Sequence, residues 1–193
     1  AQGLYGNLFI GFNLANNNDK LNSYVNAQYS NNNGYTILNS DRSVTLDTLL
    51  RQNARTVSPS NAINMGYGFG KTFGEKWELN YDGRISQNKS DNNTLNASIV
   101  KVISLNKNLS ELNSLVDNDA NNKFINQSFR AKLKLDTVGG ELINDLAFNF
   151  SNSNTTQVYT NFFVGNSNLF GGNGNFGNDR SFFTYQSDFK KKL

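Results

Sequence analysis

None of the 193 residues is histidine or cysteine. That removes the usual general base and pH switch, the thiol nucleophile, the disulfide and the common zinc ligands. Acid–base work is left to carboxylates. Glu78, Asp82, Glu141 and Asp145 fall on the polar faces of alternating segments, with Arg84, Arg130 and Lys132 in cross-strand reach. A carboxylate placed beside a cation is first an ion pair. No catalytic residue is assigned, and the chain is read as a non-enzyme. Gly66–Thr72, reading Gly-Tyr-Gly-Phe-Gly-Lys-Thr, has the look of a phosphate loop, but the position that needs the first glycine is Met65, and a turn follows where a helix should. Gly171-Gly172-Asn173-Gly174-Asn175 lacks the closing aspartate of a calcium-binding nonapeptide. Asp117 and Asp119 are an isolated acidic pair. Neither a metal site nor a cofactor is expected.

Recognition without catalysis remains. Tyr35, Asn121, Tyr159, Phe162, Phe170, Asn173 and Phe176 lie in polar stretches that read as loops, and aromatic and amide side chains there suit sugars or peptides. Asp82, Arg84, Arg130 and Lys132 add charge from strand faces. These eleven residues are the predicted ligand contacts. The formal net charge of +3 is small and its cations are scattered, which argues against nucleic acid as a partner.

The elements that must position them follow from alternation. From Trp77 the chain sets Leu79, Tyr81, Gly83 and Ile85 on one face and Glu78, Asn80, Asp82 and Arg84 on the other, straight out of a turn at Gly74-Glu75-Lys76. The same design recurs about seven times: Gly3–Ala15, Lys20–Asn31, Asn64–Phe73, the stretch from Trp77, Phe124–Asp136, Glu141–Phe163 and Ser181–Leu193. Short turns alternate with long polar connections at Asn32–Asn61, after Ile99 and at Gly165–Asp179. Within the second, Leu105, Leu109, Leu112 and Leu115 have the spacing of a short amphipathic helix. The expected fold is all-β, an antiparallel up-and-down meander.

Only 37% of the residues are hydrophobic and the mean hydropathy is −0.56, a thin supply of core. Aromatics nevertheless make up 12% and recur at regular spacing, unlike a disordered chain. Strands expected to run about 11 to 20 residues exceed the usual five or six. Lipid resolves this, because a membrane barrel turns its apolar face to hydrocarbon and needs no dense interior. Leu79, Tyr81, Ile85, Phe129, Leu133, Leu146 and Phe148 are expected on that lipid-facing side. Seven strands do not close a bacterial barrel, which uses an even number, so residues 1–193 read as one partial barrel domain with no signal peptide and no plug domain. A soluble β-sandwich is the competing reading of alternation alone.

The chain resembles the TonB-dependent-receptor-like outer-membrane β-barrel proteins of Gram-negative bacteria. The likeness is carried by Gly3-Leu4-Tyr5-Gly6-Asn7, Asp19-Lys20-Leu21-Asn22, the hairpin Lys134-Leu135-Asp136-Thr137-Val138-Gly139-Gly140-Glu141-Leu142, and Tyr185–Leu193. It implies an importer segment in the bacterial outer membrane whose extracellular loops capture oligosaccharides, metal chelates or peptides. Its implied partners are membrane lipid, the remaining barrel and plug of a longer protein, and TonB through segments outside this sequence. A structural or adhesive barrel, a passive porin and a soluble carbohydrate-binding sandwich are the alternative functions.

Overall fold

The computed structural model describes residues 6–18, 21–136, 138–165 and 168–191. Among these the chain forms one seven-stranded sheet in the order β1-β2-β3-β4-β5-β6-β7, every pair antiparallel and every strand beside its sequence neighbours. The strands are β1 (Leu8–Asn17), β2 (Leu21–Thr45), β3 (Thr48–Phe73), β4 (Trp77–Val102), β5 (Lys107–Lys134), β6 (Glu141–Phe163) and β7 (Leu169–Lys190). No helix occurs among the described residues. The expected meander is therefore present, and no second sheet packs on it to make a sandwich.

The reversals have local causes. Gly74, Asn106, Gly139 and Gly165 all take positive φ, at 59°, 51°, 112° and 82°. Glycine adopts that region without a Cβ clash, and asparagine tolerates it. The β5–β6 turn is further held by Asp136, whose Oδ1 accepts from the backbone N–H groups of Val138, Gly139 and Gly140 at 3.0, 2.9 and 2.7 Å. The turns at Gly74–Lys76 and Asp136 and the end of β7 at Lys190 share one rim, as Trp77 pairs with Leu133 and Glu141 with both Lys134 and Lys190. The opposite, distal rim carries the turns at Leu46–Asp47, Ile103–Asn106 and Val164–Gly165.

The three long polar connections are not loops. β2 and β3 pair continuously from Leu21 and Lys71 to Ser43 and Leu49, through the whole of Asn32–Asn61. The expected helix is the start of β5, where Leu112 and Leu115 fall on opposite faces. Gly165–Asp179 is mostly β7. Both faces of these distal segments meet water, so no contrast in polarity marks the period of two. The backbone ladder sustains them instead, helped by side-chain pairs such as Gln157 to Asn118 at 2.7 Å and Thr56 to Thr94 at 2.9 Å. Pro59 lies inside β3, and the β3–β4 register skips Ser58 and Pro59, where the missing N–H interrupts the ladder. At the margins, β1 begins at Leu8 among the described residues, and the expected start at Gly3 lies outside them. Residues 1–5, Asp19, Lys20, Thr137, Asn166, Ser167, Lys192 and Leu193 lie outside the described residues, with whatever the sequence predicts for them.

The register assigns every side chain to a face. Trp77, Leu79, Tyr81 and Ile85 align with Phe73, Phe69 and Met65 of β3, with Leu133, Ala131, Phe129 and Ile125 of β5, and through β5 with Leu142, Leu146, Phe148 and Phe150 of β6. This is a single apolar belt, continued by Phe183, Tyr185 and Phe189 on β7 and by Ile10, Phe12 and Leu14 on β1. The seven residues expected on the lipid-facing side all lie in it. No hydrophobic side chain is buried among the described residues. Beyond Ile85 the belt stops at Gln87, Lys89, Lys123, Asn121, Asn152 and Asn154. It spans nine positions of β4, about 27 Å along the strand and, at ~40° of tilt, about 21 Å of depth.

Candidate functional site

The polar face opposite the belt divides into two zones. At the level of the belt it is charged. Arg130 donates to Asp145 twice, Nε to Oδ1 at 2.7 Å and Nη2 to Oδ2 at 2.9 Å. One strand-pair along, Lys132 Nζ lies 2.7 Å from Glu141 Oε1. The fork-on-fork geometry of Arg130 fixes both side chains. Asp82 takes a hydroxyl partner in place of a cation, accepting from Tyr24 at 2.8 Å across Gly68. A Cβ at Gly68 would meet both Tyr24 and Asp82, so glycine there leaves room for the bridge. Arg84 stands in the next row, between Gly66 and Asn126. Paired carboxylates of this kind hold a wall together.

The distal zone of the same face is uncharged. From Ser86 to Val100 of β4, the polar-face row and its partners on β3, β5 and β6 are serine, threonine, asparagine, glutamine, alanine, leucine, valine and aromatic residues. Arg42 at the distal end of β2 and Arg180 on β7, at the lower border, are the exceptions among the described residues. Tyr159, Phe170 and Phe176 project here from β6 and β7, with Phe163 stacked obliquely on Phe170 at 6.0 Å between ring centroids.

Seven of the eleven predicted contacts thus share the polar face: Asp82, Arg84, Arg130 and Lys132 in the charged zone, and Tyr159, Phe170 and Phe176 in the distal one. Tyr35, Asn121, Phe162 and Asn173 lie on the belt face, beyond the belt, and the structure does not bring them to the others. All seven contacts expected in loops are strand residues. Tyr35 sits under the Arg55 guanidinium, 5.1 Å from its ring centroid, and Asn121 accepts from Gln87 at 3.0 Å. Phe163 and Phe182, absent from the sequence prediction, join the polar face. The doublets Phe162-Phe163 and Phe182-Phe183 carry the signal, because a strand sends one ring of each doublet to either side.

On the belt face above the belt, Asp91 comes between the chain neighbours Asp117 and Asp119, with carboxylate oxygens within 4.8 Å of one another. Partial desolvation, then the hydrogen bond and charge of Asp117, push the Asp91 carboxyl above its usual range. Oxygen ligands of this kind suit a hard cation, although three exposed carboxylates supply only part of a calcium shell.

The class defined by these features is a one-sheet β-meander with a one-sided apolar belt. No family model matches the chain, and no curated protein matches it. Among solved structures it is similar to the ferric yersiniabactin uptake receptor FyuA from Yersinia pestis, at 13% identity and a TM-score of 0.31, covering 93% of this chain and 34% of that one. It is also similar to the membrane pore complex of pneumolysin, at 7% identity and a TM-score of 0.17, over 94% of this chain and 31% of that one. A loop L8 deletion mutant of OmpT, an outer membrane protein of Vibrio cholerae, is similar at 8% identity and a TM-score of 0.14, over 93% of this chain and 97% of that one. The chain spans about a third of the length of the first two. At such low identity and TM-score, the functional reading rests on the chain's own residues.

Proposed function

We propose that this chain is a wall segment of a bacterial outer-membrane β-barrel, belonging to a TonB-dependent-receptor-like importer whose distal sheet collects a ligand. The belt faces lipid and the polar face lines the lumen. The observation that carries the reading is the height of the belt: about 21 Å beside the ~25 Å apolar band of outer-membrane barrels, on strands that continue far beyond it with water-compatible side chains on both faces. Polar side chains deep in the belt are paired locally, as hydrocarbon requires, while Lys71, opposite Leu79 one row from the turns, lies over the Phe73 ring at 4.8 Å from its centroid. Gln127 accepts from Tyr67 at 3.1 Å and from Tyr81, and Asn144 accepts from Tyr185 at 2.8 Å.

The outward edges of β1 and β7 have no partner strand among the described residues. Open edges are not tolerated in lipid, so further strands of the same protein are proposed to pair with them and complete the ring. Lipid, those strands and a plug are then the partners, and substrate handling is binding and passage without catalysis.

These 193 residues contain no cysteine, so a label placed in them reports on its own position once any cysteine elsewhere in the full-length protein is replaced by serine. In the natural full-length protein, labels at Leu146→Cys in the belt and Val158→Cys above it are compared in vesicles of brominated lipid. Quenching at position 146 alone is expected. Equal labelling of both sites by a water-soluble maleimide, with the protein recovered in the soluble fraction, would sink the membrane reading. Uptake that persists after collapse of the energy supply would keep the barrel and replace the importer with a passive porin.

A further inference from the structure

Five aromatic rings form a line down the inner wall of β6 and β7. Phe170, Phe176 and Phe182 recur every six residues on one face of β7, about 20 Å apart along the strand. Phe163 and Tyr159 of β6 fill in the distal end, beside Phe170 and opposite Gly172. None is a core residue: Phe170 is 49% exposed, Phe176 61% and Phe182 58%. Solvent-exposed rings repeated on one wall are costly unless something covers them. Their seating is also shared. The Tyr159 ring covers Gly172, where a Cβ would come within 3.0 Å of the hydroxyl, and Phe176 leans over Gly174, where a Cβ would come within 3.2 Å of the ring. Each glycine lets a ring lie against the sheet with its other side turned to the lumen.

The surroundings restrict what that side can take. Beside Phe163, Tyr159, Phe170 and Phe176 the wall of β3–β6 offers hydroxyls, amides and aliphatic side chains and no charge; Arg180 stands below them, between Phe176 and Phe182, and Phe182 shares its row with Arg84. An anion or a charged peptide leaving water for such a wall would find no counter-charge. Of the other cations of this face, Arg42 lies away at the distal end of β2, and Arg84, Arg130 and Lys132 lie lower, the last two engaged by Asp145 and Glu141. A pyranose chain fits both halves of the pattern. Its C–H faces stack on aromatic rings, and its rim hydroxyls exchange hydrogen bonds with neutral amides and hydroxyls.

We infer that the inner wall of β6 and β7 is a track for an uncharged oligosaccharide, which moves from the distal rim toward the belt by passing between successive rings. The inference rests on the barrel reading above and names the substrate class of that lumen.

The test uses the natural full-length protein in lipid nanodiscs and a panel of neutral hexose and pentose oligomers, with an oligogalacturonate and a mixed-charge peptide of equal length. Titration calorimetry is expected to show at least one neutral oligomer binding about tenfold more tightly than the acid or the peptide. Its affinity should change less than about twofold between ~0.05 and ~0.5 M salt, since no ion pair is involved. Phe170→Ala and Phe176→Ala should each weaken it about tenfold, while Phe176→Tyr, which keeps the platform, should retain it. Preference for the acid with dependence on Arg84 or Arg130 overturns the glycan track and leaves the barrel standing. So does neutral binding that ignores both alanine variants, and so does the absence of binding across the panel. Failure of the belt labels to enter lipid overturns the barrel itself, whatever the sugars do.

Discussion

Placing an arginine at three depths of the belt face measures where the hydrocarbon begins and ends. Leu146 is in the middle row, between Phe129 and Tyr185. It stands four residues from either margin, about 14 Å along the strand and, at ~40° of tilt, about 10 Å in depth. Leu133 pairs with Trp77 and Leu142 in the row next to the turns, and Leu95 lies on the same face ten residues beyond Ile85. An arginine at the midplane of a barrel costs about 2–4 kcal/mol, falling to about 0–1 near the interface. Leu146→Arg should therefore lower the folded-to-unfolded ratio roughly 30- to 700-fold. Leu133→Arg should cost at most about 1 kcal/mol. Leu95→Arg, at a side chain already 45% exposed, should stay within about 0.5 kcal/mol. The assay is reversible urea unfolding of the full-length protein in lipid vesicles, followed by gel mobility without heating. Equal costs at Leu95 and Leu146 would mean that the face meets something apolar along its whole length. A silent Leu146→Arg would mean that no lipid lies against it.

Three further outcomes follow from particular contacts. A double-mutant cycle between Gln127→Leu and Tyr81→Phe should return a coupling of about 0.5–1.5 kcal/mol in lipid, because Gln127→Leu strands the Tyr81 hydroxyl in the belt whereas Tyr81→Phe leaves Gln127 with Tyr67 alone; independent effects of the two changes would mean that the hydrogen bond does not form. Asp117→Asn should stabilise the protein at neutral pH: a carboxyl raised in the folded state, as Asp91 is, costs stability once it ionises, and the cost fades as pH falls through its folded pKa, so wild type and variant should converge in acid urea titrations. At the distal rim, Asp47 clasps the next hairpin by accepting from Ser104 N–H at 2.7 Å and Ser104 Oγ at 2.6 Å, and the side-chain bond foremost, then the backbone one, holds its carboxyl below the usual range. A depressed carboxyl contributes stability above its unfolded pKa and loses it as pH falls through the folded one, so the amide protection factors at residues 44–47 and 103–106 should fall in acid and be low at every pH in Asp47→Ala.

The sequence discloses the fold wherever the two faces differ. Trp77–Ile85 alternates between indole, leucine, tyrosine and isoleucine on one side and charge or amide on the other, and β6 runs from Glu141 to Phe163 as that pattern predicts. Thr36-Ile37-Leu38-Asn39 has no such contrast. Water bathes both sides, and the strand is specified by pairing with Asn53–Thr56, which a composition window cannot register. The helical spacing of Leu109, Leu112 and Leu115 misleads for the same reason, since leucine on either face of a solvated strand breaks no rule. The candidate site was half legible. Charges in Trp77–Gln87 and Phe124–Asp136 could be assigned to a face by parity, and they lie there. Tyr35, Asn121, Phe162 and Asn173 needed a register to be assigned at all, and the register sends them to the far side.

Along each ladder the partners step one for one, with irregularities only between Ser43 and Thr45 and between Val100 and Lys101, apart from the gap at Pro59. Such a sheet can change its letters far more freely than its length. One residue inserted at Asn152 would turn every distal side chain of β6 over, exchanging Tyr159 and Phe163 for their neighbours and sending the rings off the polar face. The same insertion beside Leu46, which no strand claims, would only lengthen a turn. Descendants of this gene should accordingly differ in length at the distal turns and in composition everywhere else, and the wall would lend itself to engineering by graft at Leu46–Asp47 or Ile103–Asn106.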